Sequence, residues 1–301
     1  MTEAPQRASL PPALTGAEAA ALAERHGLRT LGERPPLRRY LRDLWDRRSF
    51  VWTLSRAQSY AQNEGNHLGQ LWAVLNPLLL IGSYFVIFGL VLGTRGNVEN
   101  FIAFLAIGVV LFSFTSSVIT SGAKAITGNI NLVRALHFPR AILPISVTLR
   151  ELLTAAPGFA LLFVVVLVTG ETPSWEWLLF PVAVGLQGLF LLGLALIGAR
   201  VVNASRDLGN LIPVIVRMLR YVSGVFFPVS HYGAELGEPW GAILVNQPFA
   251  LCLDTGRQAL MGGEAFPLQP MQWLTLAAWA VGTLLVGLVV FWWDEARYGR
   301  G

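Results

Sequence analysis

Residues 101–123 read FIAFLAIGVVLFSFTSSVITSGA, a run without one charged side chain. As a helix it reaches about 34 Å, enough to cross a hydrocarbon core of about 30 Å. Working outward, comparable apolar runs precede it at Leu71 to Gly93 and follow it at about Pro144 to Val168, Trp177 to Ile197, Leu208 to Phe227 and Met271 to Trp293. Backbone groups in hydrocarbon must be satisfied within the segment, so each run is expected to be a helix. The fold class predicted is an all-α membrane protein with six transmembrane helices. Trp72, Trp175, Trp177, Trp273, Trp292 and Trp293 fall near the ends of these runs, where amphipathic rings favour the headgroup layer. Over all 301 residues only 13% are charged and 54% hydrophobic, whereas soluble chains carry about 25% charge, which excludes an ordinary soluble domain.

The flanking segments divide the chain further. Residues 1–36 mix Pro, Ala, Arg and Glu without a sustained apolar period and are expected to form a flexible cytoplasmic tail. Over residues 37–60, Leu41, Leu44, Trp45, Val51, Trp52 and Leu54 recur near helical spacing among Arg38, Arg39, Arg42, Arg47, Arg48 and Arg56. This predicts an amphipathic helix in the membrane interface, or a solvated helix docked on a partner. Residues 61–301 then form the spanning domain. The connection after the second run carries Lys124, Arg134 and Arg140 without an acid, and the one after the fourth carries Arg200 and Arg206 against Asp207. Loops rich in Lys and Arg stay inside, so both termini are expected in the cytoplasm and the other loops, with Arg95, Glu99, Glu171 and Glu176, outside. Val229 to Pro270 holds two apolar pieces too short to span, Ala242 to Val245 and Phe249 to Leu253, read as re-entrant helices before the last span or as a small external cap.

Several chemistries are missing from the sequence. Cys252 is the single cysteine, so no internal disulfide forms. None of His26, His67, His137 and His231 is followed by Glu, and no Gly-x-Ser-x-Gly elbow occurs. The sole lysine sits in Ala123-Lys124-Ala125, not in a phosphate-binding P-loop. The chain reads as no enzyme, with no metal site. The net charge of +4 is too small an excess to argue for nucleic acid.

Between the second and third runs, Ile130 to His137 suits a short helix parallel to the membrane, with Leu132, Val133 and Leu136 beside Arg134 and Pro139 ending it; a solvated loop is the plain alternative. Two further groups lie within the runs. Arg217 and Arg220 share one face of the fifth, and Arg150 and Glu151 sit at comparable depth in the third. Each charge near the bilayer centre costs roughly 2.5–3.5 kcal/mol. Glu151 either neutralises an arginine in a buried network or leaves one to receive a phosphate group, which a guanidinium fork suits. Tyr84, Phe85 and Phe88 of the first run and Tyr221, Phe226 and Phe227 of the fifth either line a conduit for a sliding sugar polymer or pack against neighbouring helices.

Three stretches together resemble the permease subunit of a type-2 ATP-binding-cassette polysaccharide exporter, the group that moves O-antigen, teichoic acid or galactan. They are Asn66 to Trp72 with Leu75 to Leu78; Asn131-Leu132-Val133-Arg134-Ala135-Leu136-His137-Phe138-Pro139-Arg140; and Asn203 to Asp207, with Arg206 and Asp207 as a gate signature followed by Phe226-Phe227-Pro228. Asn246-Gln247-Pro248 adds to the match, although Gln247 interrupts the usual adjacent Asn-Pro and Ala135-Leu136 replaces a basic and β-branched pair. Residues 57–65 look closest to an actinobacterial galactan exporter. The resemblance implies a homodimer bound to two separate ATPase subunits, which hold the ATP and Mg, and a lipid-linked polysaccharide as cargo. The stretch from Asn131 to Arg140 would couple to the ATPase. A drug or small-lipid exporter of the same superfamily would share this span layout.

Overall fold

A computed structural model of the chain describes residues 15–25, 36–62, 69–93, 98–136, 138–263, 265–295 and 298. His26, residues 63–68, Arg95 and His137, all used above, lie outside the described residues. Within them every regular element is helical. The N-terminal part holds α1 (Gly16–Arg25), α2 (Leu37–Asp46) and α3 (Arg48–Ala61). Next come α4 (Trp72–Tyr84), which continues as a π-helix over Phe85–Val91, then α5 (Phe101–Ala123), α6 (Ile130–Ala135) and α7 (Ile142–Val168). A 3₁₀ turn at Trp175–Leu179 leads into α8 (Phe180–Ala204), followed by α9 (Leu208–Val222), α10 (Val229–Leu236), α11 (Trp240–Val245), α12 (Pro248–Leu260) and α13 (Pro270–Trp293).

Five described stretches are long and apolar enough to cross a membrane: Trp72–Val91, Phe101–Ala123, Ile142–Val168, Trp175–Ala204 and Pro270–Trp293. Their outer faces present Leu79, Leu90, Val168, Leu178, Leu274 and Leu285, all more than half exposed, an apolar surface that water does not tolerate on this scale. The chain is an integral membrane protein. The expected fifth run differs: α9 ends at Val222 instead of reaching Phe227, so its 15 residues cover about 22 Å. The helix stops because Gly224 turns to φ +81°, where a Cβ would stand 2.2 Å from the Val229 side chain. From there the chain folds inward, burying Val225 and Phe226.

α5 is the hub. Of its apolar window 72% is buried, against 11–50% for the other four, and it packs on α4, α7, α8, α9 and α12. Gly122 makes this possible on the α8 side, since a Cβ there would lie 2.6 Å from that of Ala195. α8 and α13 approach still more closely: a Cβ on Gly193 would lie 2.4 Å from the Thr283 carbonyl carbon, and one on Gly287 2.6 Å from the Gly193 carbonyl oxygen. Small residues at such crossings replace the hydrophobic drive that lipid removes.

Within residues 1–36 the structure describes one helix, α1, exposed along its described side chains. The Thr15 hydroxyl and backbone N–H both donate to the Glu18 carboxylate, at 2.7 and 3.0 Å, starting a helix of good helix formers. The expected single helix over residues 37–60 is two, broken at Arg47, whose N–H closes onto the Leu44 carbonyl at 3.2 Å. α3 then lies along the first half of α7, where the Ser55 hydroxyl donates to the Ser146 carbonyl and Ser59 and Thr154 share a hydrogen bond, both at 3.0 Å. Between residues 229 and 270 the two short apolar pieces are helical as expected, the second extending to Leu260.

Candidate functional site

α6 is the connection expected to meet a partner. Its six residues follow a 3₁₀ turn at Thr127–Asn129, and Leu136, at φ −125° and ψ 141°, ends it before Pro139. The faces differ from the expected presentation. Val133 turns inward, 6% exposed, into a cluster with Tyr40, Ile126, Ala141 and Leu143, and Leu132 is half-buried against the same cluster. Asn131, Arg134 and Leu136 remain exposed, Leu136 to 49%. Phe138 meets the ring of Phe50 in α3 at 6.2 Å between centroids. α6 is thus a small ledge with an anchored inner side and a mixed apolar and basic outer side.

In α7 Arg150 and Glu151 form an ion pair in which neither Arg217 nor Arg220 takes part. Glu151, 4% exposed, accepts from the guanidinium of its neighbour Arg150. Its acid function is spent there, because the adjacent side chain reaches it without any helix having to approach. Arg217 is exposed on α9 and, among the described residues, has no acidic partner. Arg220 has none either. Its Nη1 donates to the Tyr84 hydroxyl at 2.8 Å and its guanidinium carbon lies 5.3 Å from the centre of the Phe112 ring. Two cations without acids, about 13 and 18 Å along α9, mark a position suited to an anionic group.

Four of the six aromatic residues form one group around Phe226, and Tyr84 joins that group to Arg220. Phe226 stacks on Phe88 at 4.4 Å and meets Tyr84 edge-on at 4.9 Å and Tyr221 at 5.5 Å. Phe226 itself is 1% exposed, so it backs the group while Tyr221, 59% exposed, forms its open side. The other two sit apart: Phe227 packs on Tyr232, and Phe85 folds over Gly89 within the π-helix. Arg206 and Asp207 are exposed at the start of α9, where the Arg206 and Asp207 carbonyls accept the N–H groups of Gly209 and Asn210. Their role is visible only as a helix start.

One charged side chain near this region escaped sequence reasoning. Arg257 is wholly buried in α12, 3.5 Å above the Phe104 ring. Its Nη2 donates to the Gly224 carbonyl at 2.8 Å and its Nη1 to Asp254 at 3.1 Å. It ties the break after α9 to α12 and α5. The opposite charges three residues apart on an apolar helix were the available signal.

Comparison with known proteins gives the family. The family model described as "ABC-2 type transporter" matches residues 50–254. An O-antigen export system permease protein of Myxococcus xanthus is 31% identical over 254 residues, covering 84% of this chain and 95% of the relative. One from Klebsiella pneumoniae is 28% identical, covering 65% of this chain and 74% of the relative. A polysialic acid transport protein of Escherichia coli is 26% identical, covering 74% and 85%. The chain belongs to the ABC-2 type transporter membrane family.

Proposed function

We propose that this chain is the permease subunit of an ATP-driven exporter that moves a lipid-linked surface polysaccharide across the cytoplasmic membrane. The observation that carries this reading is the similarity to an O-antigen export permease over 95% of that protein's length. Supporting it, a conduit for such a cargo needs a cationic station for the phosphate of a polyprenyl diphosphate and a tolerant aromatic wall for sugars. Arg217, Arg220, Tyr84, Phe88 and Tyr221 supply groups of those kinds on α4 and α9. α9 serves as a sixth crossing, its 15 residues extended by the Ser223–Phe227 segment, which α12 shields from lipid. Both termini and α6 then face the cytoplasm, consistent with the basic loops. Two copies enclose one conduit, and two separate ATPase subunits, holding ATP and Mg, act on α6. A galactan is the specific cargo inferred, on the resemblance of residues 57–65.

Depletion of the protein in its native host tests the reading. The expected result is intracellular accumulation of one lipid-linked glycan and its loss from the surface, with the sugar composition of that glycan deciding between galactan, O-antigen and teichoic acid. Unchanged surface glycans, or accumulation of a drug or simple lipid instead, would refute it.

A further inference from the structure

Past the end of α13 the side chains of Glu295 and Tyr298 reach back into the body of the protein. Glu295, 8% exposed, accepts two hydrogen bonds on its carboxylate, from the Tyr40 hydroxyl to Oε2 and from the Arg140 backbone N–H to Oε1, both at 2.8 Å. Arg140 also donates through its guanidinium to the Glu295 backbone carbonyl. The Tyr40 oxygen in turn accepts the Ala141 N–H at 3.2 Å. Tyr298, fully buried, stacks on Phe291 at 4.5 Å and donates to its carbonyl at 3.2 Å, which holds the turn against the end of α13.

Three distant parts of the chain meet at this one carboxylate. Tyr40 belongs to α2, Arg140 and Ala141 stand between α6 and α7, and Glu295 follows α13. The apolar cluster around them includes Val133 of α6, so the ledge and the knot share one packed base. A buried carboxylate is an expensive way to join segments, because desolvation opposes its charge; the return is direction, since its two oxygens fix two donors at once. Hydrophobic contact alone would let the connection slide over its base, whereas these bonds set Arg140 and Ala141, at the start of α7, relative to α2 and the end of α13.

We propose that Glu295 is a positioning residue for energy coupling: it clasps the α6–α7 connection to α2 and to the end of α13, so that a push on α6 moves all three as one body. The inference rests on the reading of α6 as the ATPase contact. In consequence, loosening the clasp lets the ATPase bind and turn over while less of its stroke reaches the spanning helices.

The test uses the full-length permease with its ATPase in the native host. Surface glycan is measured per permease molecule in the membrane, along with ATPase co-purification and the ATP hydrolysis rate of the isolated complex. Glu295→Ala should lower export per molecule about tenfold, within the usual range of coupling between sites, with co-purification and hydrolysis retained. Glu295→Gln should restore most of it, because its amide oxygen accepts the Arg140 N–H and its NH₂ donates to the Tyr40 oxygen. Tyr40→Phe should give an intermediate loss, and it carries the test if the alanine variant fails to reach the membrane. The proposal is overturned if Tyr40→Phe and Glu295→Ala, or Tyr40→Phe alone in that event, export per molecule like the parent. Equal damage by Glu295→Gln and Glu295→Ala would also overturn it. An Leu132→Asp, Leu136→Asp variant separates this from the underlying reading: if it retains the ATPase, the α6 assignment itself fails, whereas loss of the ATPase there with a silent Glu295 series sinks only the clasp.

Discussion

Individual charges in this protein are held by very different means, and the differences are measurable. Burial pushes the Glu295 carboxyl above the usual carboxylate range, while the Arg140 N–H, the Tyr40 hydroxyl and the Arg140 charge pull it partly back. A carboxyl raised by folding binds its proton more tightly in the folded state. Stability should therefore fall as pH rises from the ordinary value of about 4.3 through the raised one. Melting of the detergent-solubilised protein across that window should show the fall, and Glu295→Gln should flatten it; an unaltered slope would place its origin elsewhere. Arg217 poses the opposite case, exposed and without an acid among the described residues. Arg217→Glu should depress export, and adding Glu151→Arg should not repair it, because Glu151 is already engaged by Arg150. Restoration by the swap would mean that the two residues pair and that the phosphate role is wrong. Arg257→Met leaves the half-buried Asp254 without its partner and removes the hydrogen bond to the Gly224 carbonyl, a loss of about 1–3 kcal/mol. Adding Asp254→Asn should recover part of the lost melting temperature, since the neutral amide requires no counter-charge.

Helix by helix, the packing depends on absent side chains as much as on present ones. A methyl at Gly193 has no room against Thr283, so Gly193→Ala must push α8 and α13 apart, at a cost of about 1–3 kcal/mol or more. Lower membrane levels and a lower melting temperature are expected, with no comparable effect from Gly188→Ala, where nothing lies within 4 Å of the added carbon. α6 makes its prediction through the exposed Leu136 and the half-buried Leu132: Leu132→Asp with Leu136→Asp should abolish ATPase co-purification while the protein still reaches the membrane. Element by element, the long apolar helices were legible because lipid imposes length and composition together. α1 was overlooked although Thr15 and Glu18 stood at capping-box spacing. The early end of α9 was not legible, since the run from Leu208 to Phe227 stays largely apolar through the turn. Only the left-handed turn at Gly224, φ +81°, shows where the helix ends.

Taken whole, the molecule is two packed regions on one set of helices. A large apolar core surrounds α5, and a smaller cluster joins Tyr40, Val133, Leu143, Phe291 and Tyr298 at the α6 end. Sequence alone determined that the chain lives in a membrane, is helical, and carries the ABC-2 resemblance at residues 131–140 and 203–207. Those properties are local, written in hydropathy, loop charge and short motifs. Tertiary structure alone decided which charges pair, that Phe226 backs the aromatic group instead of lining it, and that residues 40, 140 and 295 meet. Hydrogen bonds and ring contacts between distant segments leave no periodic trace in a chain, because their geometry exists only once the helices have packed.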